Sequence, residues 1–318
     1  MTSMPTMPSM RRLTRPATPL RSHRITERDL TILHAIARYR FMSSEQVVLH
    51  LASLDPSTSH QGVLRRLQWC YYAGFLDRPA QQALICGAFA PIIYALGQEG
   101  ARLLADAGQP VDAHLQWQLK NSRATTLFLH HTLATTSTML LFERDCRAAG
   151  LRLLDHHDQI PLFPADTQKL DDPFRLRATI QHDNKSLALT VIPDRLISIV
   201  RPDNHRYNLA LEIDRGTMSV SARRIAKSSF ARKIMAYHAA WKEGRHKTQW
   251  GMQGFRVATI VPSEARIAHI LDAQRTITGN TVGALFLYSS SERLHAHGPL
   301  APIWITSERD GVSLMERT

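Results

Sequence analysis

The sequence is short of cysteine, of acidic residues and of long apolar runs, and each shortage removes a class of protein. Its 318 residues include three cysteines, Cys70, Cys86 and Cys146, scattered and without a Cys-x-x-Cys pair. That excludes a disulfide framework and a cysteine-rich structural zinc, and it fits a reducing cytoplasm. No apolar stretch approaches the roughly 20 residues of a membrane span, so no membrane partner is expected. Residues 1–24 lack both acids and the hydrophobic centre of a secretory signal. They carry Arg11, Arg12, Arg15, Arg21 and Arg24 and read as a disordered basic arm. There is no Walker-type phosphate loop, no Gly-x-Gly-x-x-Gly and no Gly-x-Ser-x-Gly elbow, which leaves nucleotide-driven and esterase chemistry unsupported.

What is present is positive charge. Lys and Arg number 39 against 27 acids, a net charge of +12. An excess of this size favours a polyanionic partner, because each Lys or Arg that meets a phosphate releases condensed counterions. A hydrophobic content of 44% and a charged content of 21% describe a globular chain. Its length allows two domains of ordinary size.

Order is expected from Thr26. Thr26-Glu27-Arg28-Asp29 reads as a capped helix start, Ser43-Ser44-Glu45-Gln46 as a second, and Ser57 to Ala73 as a third helix ended by Gly74. Extended segments at Phe75–Pro79 and Pro91–Leu96 follow, then a short helix at Gln98–Ala107. Three helices and a two-stranded hairpin form the order of a winged helix-turn-helix, whose third helix enters the DNA major groove. On that helix His60, Gln61, Arg65, Arg66 and Gln68 are the candidate DNA contacts, since Arg reads guanine and Gln reads adenine. The predicted domain spans 25–108, with a linker at 109–121 and a second domain at 122–318.

The second domain opens with a long helix, Ser122 to Ala149, in which His130 and His131 read as one packed and one exposed residue. Strands are predicted at Leu151–Leu154, Phe174–Ile180, Leu187–Ile192, Leu196–Val200 and Tyr207–Ile213. A basic helix from Val220 to Trp241 follows, then strand 255–261, helix 263–274 and strands at 285–288 and 302–305. This alternation indicates an α/β sandwich with a mixed central sheet, α+β overall. Two acidic segments stand out: Pro193-Asp194, and Glu212-Ile213-Asp214-Arg215-Gly216-Thr217 at the end of an apolar strand. Acids that end strands are suitable oxygen ligands for a hard cation such as Mg²⁺ or Mn²⁺. Arg223, Arg224 and Lys227 on the following helix are further candidate phosphate contacts.

Pro193-Asp194, the Glu-x-Asp-Arg-Gly-Thr run at 212–217, and Lys233 with Tyr237 one turn on resemble the replication-relaxation family of plasmid and mobile-element proteins. That family is related to the restriction-endonuclease-like, PD-(D/E)xK nuclease fold, and is similar to plasmid relaxases of the MobC kind. The resemblance covers roughly residues 25 to 270. It implies Asp194 and Glu212 as metal ligands, with the Ile213 carbonyl a third, and Asp214, Lys233 and Tyr237 at the catalytic site. The chain departs from the nuclease pattern at Asp214, where the motif has lysine; Lys233 on the next helix is the nearest substitute. The resemblance thus implies a cytoplasmic Mg²⁺-dependent endonuclease or nickase acting on plasmid or mobile-element DNA, in company with other replication or mobilisation proteins. The alternative is a non-catalytic DNA-binding accessory protein with a silent nuclease-like domain. His295-Ala296-His297, the one approach to a His-hydrophobic-His nuclease, is expected in a loop. His156-His157-Asp158 is expected at a polar strand end.

Overall fold

The computed structural model describes residues 24–84, 90–182, 185–216, 220, 229–279 and 283–316. The predicted basic arm, apart from Arg24, and Arg223, Arg224 and Lys227 lie outside the described residues. The chain divides into two compact units, residues 1–140 and 141–318.

In the first unit, helix α1 (Glu27–Tyr39) is started by a capping box in which Thr26 and Asp29 exchange bonds with each other's backbone. Strand β1 (Phe41–Ser43) leads to α2 (Ser44–Leu54), capped the same way by Ser43 and Gln46. Helix α3 (His60–Tyr72) is capped by Ser59, whose hydroxyl accepts the Gly62 N–H. Strands β2 (Leu76–Asp77) and β3 (Ile93–Leu96) complete a three-stranded antiparallel sheet of order β1-β3-β2. The turns around it are tight. A Cβ at Gly97 would lie 2.3 Å from the Gly74 carbonyl oxygen, and one at Gly100 would lie 2.2 Å from that of Phe75. Only glycine lets the backbones approach so closely. Ile32, Leu33 and Ile36 of α1 and Val63 and Leu67 of α3 are all buried in the interior of this unit.

Helix α4 (Gln98–Asp106) follows β3, and the stretch expected as a linker includes α5 (Trp117–Ser122). Its Trp117 and Asn121 are buried, and the Trp117 indole N–H donates to the Asp112 carbonyl at 2.8 Å. Helix α6 (Thr126–Ala148) runs across the division between the units. His130 on it is exposed and His131 half-buried.

The second unit opens with β4 (Arg152–Leu154) and, after a hairpin of β5 (Leu176–His182) and β6 (Lys185–Val191), continues with β7 (Arg195–Val200) and β8 (Arg206–Ile213). Between β4 and β5 lie two single-turn helices, α7 (His156–Gln159) and α8 (Ala165–Gln168), where a polar strand end was expected. Such short helices carry too few residues to show a period. Helices α9 (Phe230–Lys242) and α10 (Arg245–Trp250) precede β9 (Arg256–Val261), α11 (Glu264–Thr278), β10 (Phe286–Ser290) and α12 (Ser291–His297). His295 and His297 therefore stand on a helix, not in a loop; Gly298, at φ 80°, is its terminator.

The sheet order is β10-β9-β8-β7-β4, antiparallel from β4 to β8 and parallel from β8 to β10. The whole is mixed α/β, α+β overall. The β5–β6 hairpin forms a separate sheet, and its Leu176, Leu189 and Val191 share one core with Leu196, Ala210 and Val257 of the main sheet and Ile234 and Tyr237 of α9. Residue 302–305 makes a bridge rather than a strand, pairing Ile305 with Tyr288 and so covering the β10 edge.

Candidate active site

The antiparallel register of β7 and β8 pairs Arg195 with Leu211, which sets Asp194 abreast of Glu212. Asp194 Oδ2 accepts the Ile213 N–H at 2.7 Å, clamping the end of β8 to the start of β7. Glu212 is 1% exposed. Helix α9, capped by Ser229, crosses this face of the sheet and brings two side chains one turn apart onto that carboxylate. The Lys233 ammonium donates to Glu212 Oε2, and the Tyr237 hydroxyl donates to Oε1 at 2.6 Å. Both carboxylate oxygens are thus engaged, which is what a buried charge requires.

The electrostatics follow from this crowding. Burial first, then the Asp194 charge, pushes the Glu212 carboxyl up to about 7, against the pull of Lys233 and Tyr237. Burial draws Lys233 down, but the charges of Glu212 and Asp194 outweigh it and hold the ammonium above its ordinary value. Burial, with Glu212 beside it, raises Tyr237 well above the usual phenol, so this hydroxyl remains a donor.

Asp214 is placed differently. It follows the end of β8, where the Arg266 guanidinium of α11 pairs with Oδ2 and the Gly216 N–H donates to Oδ1 at 3.2 Å. The structure therefore brings Asp194, Glu212, Lys233 and Tyr237 together and binds Asp214 to a partner of its own. Mg²⁺ ordinarily takes one or two protein carboxylates and fills its octahedron with water and substrate phosphate. Asp194 and Glu212, close enough for one charge to raise the other, are two such carboxylates, and the Lys233 ammonium is bonded to the second of them. They do not make an all-protein cage: among the described residues no group of three or more His, Cys, Asp or Glu could hold a metal.

Two residues support this site in ways that the sequence reading did not foresee, His156 being expected only at a polar strand end. His156, on α7, accepts the Leu196 N–H on Nδ1 at 3.1 Å and stacks on Phe174, with ring centroids 3.4 Å apart. It thereby fixes the strand that begins just after Asp194. Arg266 is the other. The box formed by Asp155 and Asp158 was a legible sign of a helix start at His156; nothing local announced Arg266.

On α3, His60, Gln61, Arg65 and Gln68 are exposed along one side. His60 lies 3.4 Å from Glu45, and Gln68 Nε2 donates to the Tyr72 hydroxyl at 2.9 Å. Arg66 turns inward: its Nε donates to Asp29 Oδ1 at 2.8 Å, Nη2 pairs with Oδ2, and the guanidinium covers Trp69 at 4.5 Å. It ties α3 to α1. Burial would raise Asp29, but the bonds from Arg66 and Thr26 hold it below the usual carboxylate range.

No helix among the described residues is long and apolar enough to cross a membrane. No curated protein and no solved structure matches the chain. The replication-relaxation family matches residues 33–255, more than half of the sequence and inclusive of β7, β8 and α9, and the chain belongs to that family.

Proposed function

We propose that this chain is a cytoplasmic DNA-processing protein of plasmids or mobile elements, which binds DNA through a winged helix and nicks or cuts it by Mg²⁺-dependent hydrolysis. The order α1-β1-α2-α3-β2-β3, with β3 between β1 and β2, supports the winged-helix reading. The exposed side of α3, with Arg65 and Gln68, would read base edges. The observation that carries the catalytic reading is the Lys233–Glu212 contact beside Asp194: the lysine missing from position 214 is supplied from α9.

When bound by Asp194 and Glu212, Mg²⁺ would lend Lewis acidity to water and to the scissile phosphate. Tyr237 holds the Glu212 carboxylate in one rotamer by its bond to Oε1. Lys233, on a flexible stem and 30% exposed, can leave Oε2 for a phosphate oxygen and offset its developing charge. His156 and the Asp194–Ile213 bond keep the two carboxylate-bearing strand ends in register.

A second reading, a DNA-binding accessory protein with a silent nuclease-like domain, is favoured by one observation: both Glu212 oxygens already have partners. Plasmid nicking separates the two. Supercoiled DNA carrying the cognate origin is incubated with the protein and Mg²⁺ or Mn²⁺, beside Glu212→Ala and Lys233→Ala. Metal-dependent relaxation lost in both variants is expected. DNA that is bound but never nicked would establish the accessory role.

A further inference from the structure

The strand end that carries Glu212 also carries Asp214, two residues on. The Asp214 N–H donates to the Ile260 carbonyl at 2.9 Å, so the backbone is still in the ladder with β9, and Asp214 leaves the pleat on the same side as Glu212. Successive side chains on one side stand about 7 Å apart along the strand. The Asp214 charge is felt at the Lys233 ammonium, the group bonded to Glu212. Asp194, Glu212 and Asp214 are thus three carboxylates at one end of two paired strands. Yet among the described residues no three acids stand together so as to hold a metal.

Arg266 accounts for that separation. It comes from α11, the helix packed beside α9, and pairs with Asp214 Oδ2; the two side chains are 15% and 6% exposed. The other oxygen, Oδ1, accepts the Gly216 N–H at 3.2 Å and closes the turn that Gly216, at φ 75°, permits. Asp214 therefore serves the turn after β8, while its charge, so near two other carboxylates, is met by Arg266. A buried ion pair gains little stability over an apolar pair of the same shape, so stability alone does not explain it. Its chemical effect is on the number of acidic ligands. Two carboxylates leave most of an octahedral shell to water and phosphate, as Mg²⁺ prefers. A third, with its added charge, suits Ca²⁺, which takes about six to eight oxygens in flexible geometry.

We propose that Arg266 is a positioning residue acting through Asp214: by holding that carboxylate it limits the site to two acidic ligands and sets a preference for Mg²⁺ over Ca²⁺. The proposal rests on the reading of Asp194 and Glu212 as metal ligands. It is tested on the full chain by Tb³⁺ luminescence, excited through the aromatic side chains, with Mg²⁺ and Ca²⁺ as competitors. Wild type is compared with Glu212→Ala, Arg266→Met, Arg266→Gln and the double variant Arg266→Met with Asp214→Asn, and thermal melts show which of them fold. Arg266→Met is expected to bind Tb³⁺ and Ca²⁺ roughly tenfold more tightly with Mg²⁺ little changed, since affinity for the larger ion follows ligand charge. Arg266→Gln keeps a donor for Asp214 but no charge. It is expected to shift the same way by less, and it carries the test if methionine prevents folding. The double variant, lacking the third carboxylate, is expected to return to the wild-type preference, a rescue that a merely structural pair would not show. An unchanged ratio of Ca²⁺ to Mg²⁺ affinity in the folded single variants, or a gain that persists in the double variant, overturns this proposal alone. Wild-type Tb³⁺ binding that is absent, or that survives Glu212→Ala, overturns it together with the metal reading.

Discussion

His156 gives the fold a pH dependence that a single substitution can remove. Its ring is sealed under Phe174, and Nδ1 must stay unprotonated to accept the Leu196 N–H. Burial, then the Arg195 charge and, more weakly, His157, push its pKa down to about 3, with Asp155 opposing. The folded value lies below the unfolded value of 6.5, so the unfolded chain takes up the proton first as pH falls. The stability His156 contributes is complete above pH 6.5 and drains away between there and about 3. At roughly 1.4 kcal/mol per unit, lowering the pH from 7 to 4.5 removes about 3 kcal/mol. His156→Asn keeps an acceptor for Leu196 but cannot titrate. It loses the ring stack, a deficit of about 1 kcal/mol at pH 7. Urea unfolding at pH 7, 6, 5 and 4.5, followed by near-ultraviolet circular dichroism, should show the wild type falling the more steeply, so that the variant overtakes it near pH 6. His238 and His246, also lowered by burial, contribute equally to both curves. Parallel curves for the two proteins would refute the assignment of a neutral, sealed His156.

Lys233→Met leaves Glu212 buried without its cation, a loss of about 3–5 kcal/mol for a broken buried pair. Because the Glu212 carboxyl already sits near 7, above its unfolded 4.5, its ionisation opposes folding as pH rises, and the variant's deficit should be larger at pH 8.5 than at 5.5 by chemical denaturation. Gly97→Ala places a Cβ 2.3 Å from the Gly74 oxygen and should lower the stability of the first unit by about 1–3 kcal/mol, read as a shifted urea midpoint with the second unit unchanged. On α3 the two arginines should behave oppositely. Arg65→Ala should weaken binding to a preferred duplex by about 1–3 kcal/mol and relax its base preference, with little effect on the melt. Arg66→Ala should lower the melt by leaving Asp29 unpaired; equal effects of the two on base preference would contradict their placement.

Local chemistry made much of this architecture legible. Thr26 and Ser43 announced α1 and α2 because capping acts within four residues, and the apolar runs of β7 and β8 are continuous because both faces of the sheet are covered. Lys233 and Tyr237 could be paired in advance because one turn of helix separates them. What escaped is long-range. His156 meets Leu196 across 40 residues, and Arg266 meets Asp214 across 52, distances over which only the packed sheet decides who meets whom. Arg66 looks on the sequence like another exposed base reader, but its place on α3 turns it to Asp29 of α1. A loop was expected around His295 and His297, whereas Gly298 only marks where their helix stops.

The strands of the main sheet lie side by side in the order in which they leave the ribosome, β4 through β10, with the β5–β6 hairpin set aside in its own sheet. Asp194, Glu212, Lys233 and Tyr237 accordingly all come from one continuous passage of chain, the β7–β8 hairpin and the helix after it. Closing so short a stretch costs little chain entropy, so the quartet can assemble before β9 and β10 arrive to cover it. The candidate site is in that sense a local affair, and the rest of the sheet is the wall built behind it.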